Sequence, residues 1–166
     1  MSRYETVGRL ALSNLAHFLE TDRVWDDNHV FWMGSWVMNV HPLDSFKALG
    51  SCGFAGCAIG SAIHFKIPGW EGLSIAVYGP SRYPMYKVSG EWEAVGITAI
   101  AKYLGISLHT AQWLFEPSYY EDDERCVTVE YGFKVLQMKA ITPAIVAERI
   151  RTILANNGMM NYGGTI

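Results

Sequence analysis

The chain has 166 residues, half of them hydrophobic and 17 % charged, which excludes a disordered polypeptide and leaves enough apolar surface for one buried core. A formal charge of −3 and a pI near 5.9 give no general attraction to nucleic acid or to an anionic membrane. The first residues, MSRYETVGRL, lack the apolar stretch of a signal peptide, and no apolar run approaches the roughly 20 residues that span a bilayer. A cytoplasmic location is the expectation.

Three cysteines, Cys52, Cys57 and Cys126, are an odd number without an export signal, so reduced thiols are expected rather than a disulfide framework. Six tryptophans and nine tyrosines exceed what a core of this size needs, which points to a binding face as well.

In chain order, residues 4 to 20 read as an amphipathic helix, with Val7, Leu10, Ala11, Leu15, Phe18 and Leu19 at helical spacing. TDRVWDDN, residues 21 to 28, is a polar break. The aromatic stretch HVFWMGSWVMNV, residues 29 to 40, fits a strand or an irregular buried segment. A helix is predicted over about 53 to 65, stopped by Pro68 and Gly69. Alternation at Leu73, Ile75 and Val77 predicts a strand closed by the turn GPSRYP.

Ser89, followed by Glu91 and Glu93, is read as the start of a third helix, with Trp92, Val95, Gly96, Ala99, Ile100, Tyr103 and Leu104 on its inner face. Gly105 ends it in a left-handed conformation. Ser107 caps a fourth helix with Leu108, Ala111, Leu114 and Phe115 inside. After the acidic loop EDDER, the run CVTVEYGFKV places Val127, Val129, Tyr131, Phe133 and Val135 on one strand face. Thr142-Pro143 opens the last helix, which continues through Ile145, Val146, Arg149, Ile150, Ile153 and Leu154. The predicted fold is α+β: a mainly helical single domain over residues 1 to 158 with a small antiparallel sheet, and a mobile tail at 159 to 166.

GSCGFAGCAIGSAIHF, residues 50 to 65, is the first candidate site. Cys52 falls near a predicted helix N-terminus, where the dipole and free amides favour a thiolate. Its base cannot be His64, which lies about 18 Å along the same helix, so His41 or His109 has to supply it. Cys57 and His64 share a face but stand about 10 Å apart. Cys-Gly leading into a helix is similar to papain-like and bacteriocin-leader peptidases, but no later histidine and aspartate fall in strands as those families have them. As a zinc site the segment needs Cys126 and a histidine to complete it. Packing accounts for more of its residues: Gly53, Gly56 and Gly60 form a bare stripe, flanked by small side chains, where another backbone can approach.

The second candidate is a helix-turn-helix at residues 98 to 115, built on Ala101, Gly105 and Ala111. Its second helix carries no arginine or lysine and is followed by acidic residues, so duplex DNA is disfavoured. The acidic run Glu121, Asp122, Asp123 and Glu124 lacks the ligand alternation and glycine of a calcium loop. No cofactor or metal is implied, and His17, His29 and His41 have no partners at motif spacing.

Several motifs occur in a fixed order: Cys52-Gly53, Cys57 and Gly60, then Leu104-Gly105-Ile106-Ser107, Leu114-Phe115, and Thr142-Pro143 with Val146, Ala147 and Ile150. In this they resemble a group of small uncharacterised proteins from bacteria and their phages. The common pattern has threonine after the Cys-Gly and histidine or tryptophan after the second glycine, where this chain has Phe54 and Ser61. The resemblance implies a phage or prophage setting and no particular reaction. The function expected from all of this is a phage-associated accessory protein that binds another protein, a host or defence factor. The alternatives are a cysteine-dependent hydrolase or transferase using Cys52 with His109, and a nucleic-acid binder through residues 98 to 115.

Overall fold

The computed structural model describes residues 3–21, 29–31, 37–39, 54–78, 81–88, 91–120, 127–131 and 136–156. Its elements run α1 (Arg3–Thr21), β1 (His29–Phe31), β2 (Val37–Asn39), β3 (Phe54–Gly56), α2 (Ala58–His64), β4 (Leu73–Tyr78), β5 (Ser81–Val88), β6 (Glu91–Val95), α3 (Gly96–Leu104), α4 (Leu108–Phe115), a 3-10 turn (Pro117–Tyr120), β7 (Val127–Tyr131), β8 (Leu136–Ala140) and α5 (Pro143–Ala155). The fold is α+β with helices dominant, as the sequence predicts. The antiparallel sheet is β4-β5-β6. Two smaller sheets accompany it: β3 lies between a parallel β1 and an antiparallel β2, and β7 pairs with β8.

One buried cluster joins α1, α2, α3, α4 and α5 through Leu12, Leu15, Ile59, Ile100, Leu104, Leu114, Phe115, Val146, Ile150 and Ile153. The buried face of α1 includes Ala11, Leu12, Leu15, Ala16 and Leu19, whereas Val7 and Leu10, which share its apolar periodicity, are exposed. Helix α1 approaches α3 at Gly8, where an added Cβ would lie 2.0 Å from the Leu104 carbonyl oxygen. The indole of Trp70 donates to Ala11 O at 2.8 Å and ties the connection between α2 and β4 to α1.

Three sequence expectations are corrected. Residues 91–95 are strand β6 and not the first turn of a helix: they pair with Met85–Val88, and α3 begins only at Gly96 (φ +62). The residues of the expected GPSRYP turn from Ser81 onward belong to β5, with Tyr78 opposite Ser81 and Ile75 opposite Pro84. Pro84 is tolerated there because the pairing of β5 with β6 starts only at Met85, so the proline sits where β5 lacks that neighbour. The helix expected over 53 to 65 is shorter. Phe54–Gly56 form β3, and α2 begins at Ala58, so of the glycine stripe only Gly60 lies in the helix.

The helix ends are satisfied by specific groups. Ser107 Oγ accepts from Thr110 N at 3.0 Å, and Thr142 Oγ1 accepts from Ile145 N at 3.4 Å, with Pro143 behind it, as predicted for two N-caps. At the other end of α4, Glu116 N donates to Gln112 O, Arg149 Nη1 to Trp113 O at 2.8 Å, and the Tyr120 hydroxyl to Leu114 O at 2.6 Å. The carbonyls that a helix C-terminus leaves unbonded are thus taken up one after another. Arg149 also donates to Tyr119 O at 2.9 Å, and its guanidinium lies 3.5 Å from the Tyr120 ring centroid and 4.7 Å from that of Trp113. A buried cation here is compensated by carbonyl dipoles and aromatic faces.

Candidate functional site

Cys57 is the one sequence-predicted thiol among the described residues. It is the N-cap of α2, its sulfur accepting from Gly60 N at 3.5 Å. It is fully buried, and burial pushes its pKa up to about 11. A thiol held protonated in an apolar interior is a packing group and not a nucleophile. Cys52, Cys126, His41, Gly53 and the acidic run at 121 to 124 lie outside the described residues. His109 is described: it is the second residue of α4, exposed, with its ring edge-on to Tyr119 at 5.5 Å between centroids. With Cys52 outside the described residues, the Cys52–His109 pair has only its histidine placed. Among the described residues, no group of three or more His, Cys, Asp and Glu is placed to hold a metal ion.

The predicted helix pair exists. α3 ends at Leu104, Gly105 adopts φ +67, ψ +30, and Ile106 N donates back to Ala101 O at 3.1 Å before Ser107 opens α4. Ala101 and Ala111 are both buried at this junction. Leu108, expected inside, is 46 % exposed, and Ala111, Leu114 and Phe115 with Thr110 form the inner face instead. The exposed residues of α4 are thus Leu108 and His109, neither of which carries a fixed positive charge toward a phosphate.

A concave feature of the described surface lies elsewhere. A cleft of about 430 Å³ opens between α1 and the connection from α2 to β4, lined by Asn14, His17, Phe18, Phe65, Lys66, Ile67 and Pro68. Its volume falls in the range of small-ligand sites. The Phe18 and Phe65 rings meet at 5.2 Å with a 37° tilt and form an aromatic wall. Asn14 Nδ2 donates to Pro68 O at 2.8 Å and pins the connection to α1.

The α2 end of the cleft is a Schellman turn, in which the two residues past the helix donate back to its last carbonyls. Lys66 N bonds Ile63 O at 3.3 Å and Ile67 N bonds Ala62 O at 3.0 Å. The left-handed position of such a turn is ordinarily glycine; here it is Lys66, at φ +53, and among the described residues no other non-glycine residue has positive φ. No local sequence signal marks this site. Its residues come from segments some 50 positions apart, His17 has no motif partner, and nothing in FKIPG announces a left-handed lysine. No family model, curated protein or solved structure matches the chain.

Proposed function

We propose that the protein acts by binding another protein, as a phage-associated accessory factor that engages a host or defence component in the cytoplasm. The phage setting rests on the resemblance of the ordered motifs. The binding mode is supported chiefly by α1, where Val7 (39 % exposed) and Leu10 (55 % exposed) stand one turn apart on a face that continues through Asn14 and His17 to the cleft. Fully covering an aliphatic side chain of this size is worth roughly 1.5–3 kcal/mol. Because both are already half-covered, the pair offers a partner about 2 kcal/mol. Among the described residues no helix is long and apolar enough to cross a membrane.

The test is a paired capture from phage-infected cells with the parent protein and the Val7→Glu/Leu10→Glu variant, followed by binding measurements with the purified partner. Exposed substitutions of this kind shift stability by only about 0.5 kcal/mol, so folding is retained. The parent should bind the partner at least roughly tenfold more tightly than the variant. Equal binding by the two proteins would remove α1 from the interface and this reading with it.

The cysteine-hydrolase alternative depends on Cys52 and His109, and draws no support from Cys57, whose thiol is buried and protonated. The nucleic-acid alternative has its helix pair but lacks basic side chains on α4.

A further inference from the structure

The cleft between α1 and the α2–β4 connection combines three features beyond the exposed Val7 and Leu10 on which the protein-binding reading rests. Its wall is aromatic and aliphatic, from Phe18, Phe65, Ile67 and Pro68. It is also lined by two exposed residues, His17 and Lys66, and no described residue supplies the Lys66 ammonium with a hydrogen bond or counter-ion. The third feature is the backbone strain of Lys66, which is kept in a left-handed turn although glycine or asparagine would fit it better.

Among the described residues, the carboxylates of this region are engaged elsewhere. Glu20, the acidic group that interacts with His17, is held by Arg151 at 2.8 Å, and this pairing lowers its pKa. Glu71 accepts the Gly69 N–H with both carboxylate oxygens, at 2.9 and 3.1 Å. The negative end of the α2 dipole faces the same turn, but the Ala62 and Ile63 carbonyls are bonded to the turn's own N–H groups. His64, in the last turn of α2, adds a further group suited to that end.

We propose that this cleft binds a small organic anion, a carboxylate carried on an aromatic or short acyl body. The body packs against Phe18 and Phe65, and the carboxylate pairs with the Lys66 ammonium at the rim. The concave shape and limited volume suit a free small molecule; a protein partner has the convex stripe of Val7 and Leu10. The inference is independent of the protein-binding reading.

The experiment is an NMR titration of the full chain with 3-phenylpropionate and, in parallel, with the neutral 3-phenylpropanamide. The carboxylate should bind saturably, with a Kd on the order of 1 mM or tighter, and perturb resonances of Asn14, His17, Phe65 and Lys66. Because Lys66 is exposed, the amide should bind only about twofold to fivefold more weakly. Lys66→Asn removes the charge while keeping a residue that tolerates the turn, and should bring carboxylate affinity down to that of the amide. Phe65→Ala should weaken both ligands. No saturable binding, perturbations centred elsewhere, equal affinity for carboxylate and amide, or carboxylate binding unchanged in Lys66→Asn would each overturn the proposal.

Discussion

Helices α2 and α3 both end in a left-handed residue whose follower donates back to the last turn, Ile67 N to Ala62 O and Ile106 N to Ala101 O, but with opposite chemistry. At the end of α3 the left-handed residue is Gly105, itself exposed, and the residue before it is packed: Leu104 is buried and its carbonyl lies directly against Gly8 of α1. At the end of α2 the left-handed residue is Lys66, exposed at the rim of the cleft. The first end is built for close packing, with glycine wherever a side chain would collide or strain. The second accepts a strain that glycine would relieve, and in return places a positive charge beside an aromatic wall. The difference separates a part of the molecule shaped by stability from one that stability alone does not explain.

The sharpest way to break the packed end is Gly8→Ala. Alanine in place of glycine favours a helix by about 1 kcal/mol, but here its Cβ would meet a backbone oxygen that cannot rotate away. Overpacking of that kind costs about 3 kcal/mol at the upper end of its usual range, so a net destabilisation of about 2 kcal/mol is expected in urea unfolding. A stabilised variant would mean that α1 and α3 are further apart than the Leu104 contact requires.

Gly105→Lys transfers the chemistry of the α2 end to the α3 end. The left-handed conformation costs a side-chain-bearing residue about 1–2 kcal/mol, against which stand the charge gained near a helix C-terminus and the smaller freedom of lysine in the unfolded chain, together about 1 kcal/mol. A loss of about 0.5 kcal/mol is the expected result, read as a lower urea midpoint at unchanged slope. Unchanged stability would dissolve the distinction between the two ends.

Much of the helix framework, the packed end included, is legible in the amino-acid sequence, because its signals are local. Gly105 two residues before the Ser107 cap, and Thr142 followed by Pro143, are each decided within one turn of chain. Sequence reading fails where a local signal is contradicted by partners distant along the chain. Ser89 with Glu91 and Glu93 has the look of a helix start, yet pairing with Met85–Val88 holds residues 91–95 as a strand. Two prolines make residues 79–84 look like a turn, although Pro84 occupies a strand position that β6 does not reach. Gly8 of α1, which no motif marks out, meets the Leu104 backbone because α1 and α3 pack there. The cleft is not legible at all, since Asn14 and Pro68 meet only after α1 and α2 have packed.

The central claim, that the α2 end carries a strained lysine, is tested most directly by equilibrium urea unfolding of Lys66→Gly. Relief of the left-handed strain is worth about 1–2 kcal/mol, against which stand the lost charge at the helix C-terminus and the greater freedom of glycine in the unfolded chain, together about 1 kcal/mol. The variant should therefore be more stable than the parent by about 0.5 kcal/mol, a small gain in the opposite direction to Gly105→Lys. A variant as stable as the parent, or less so, would contradict the account, because Lys66 would then be the residue that the turn itself prefers.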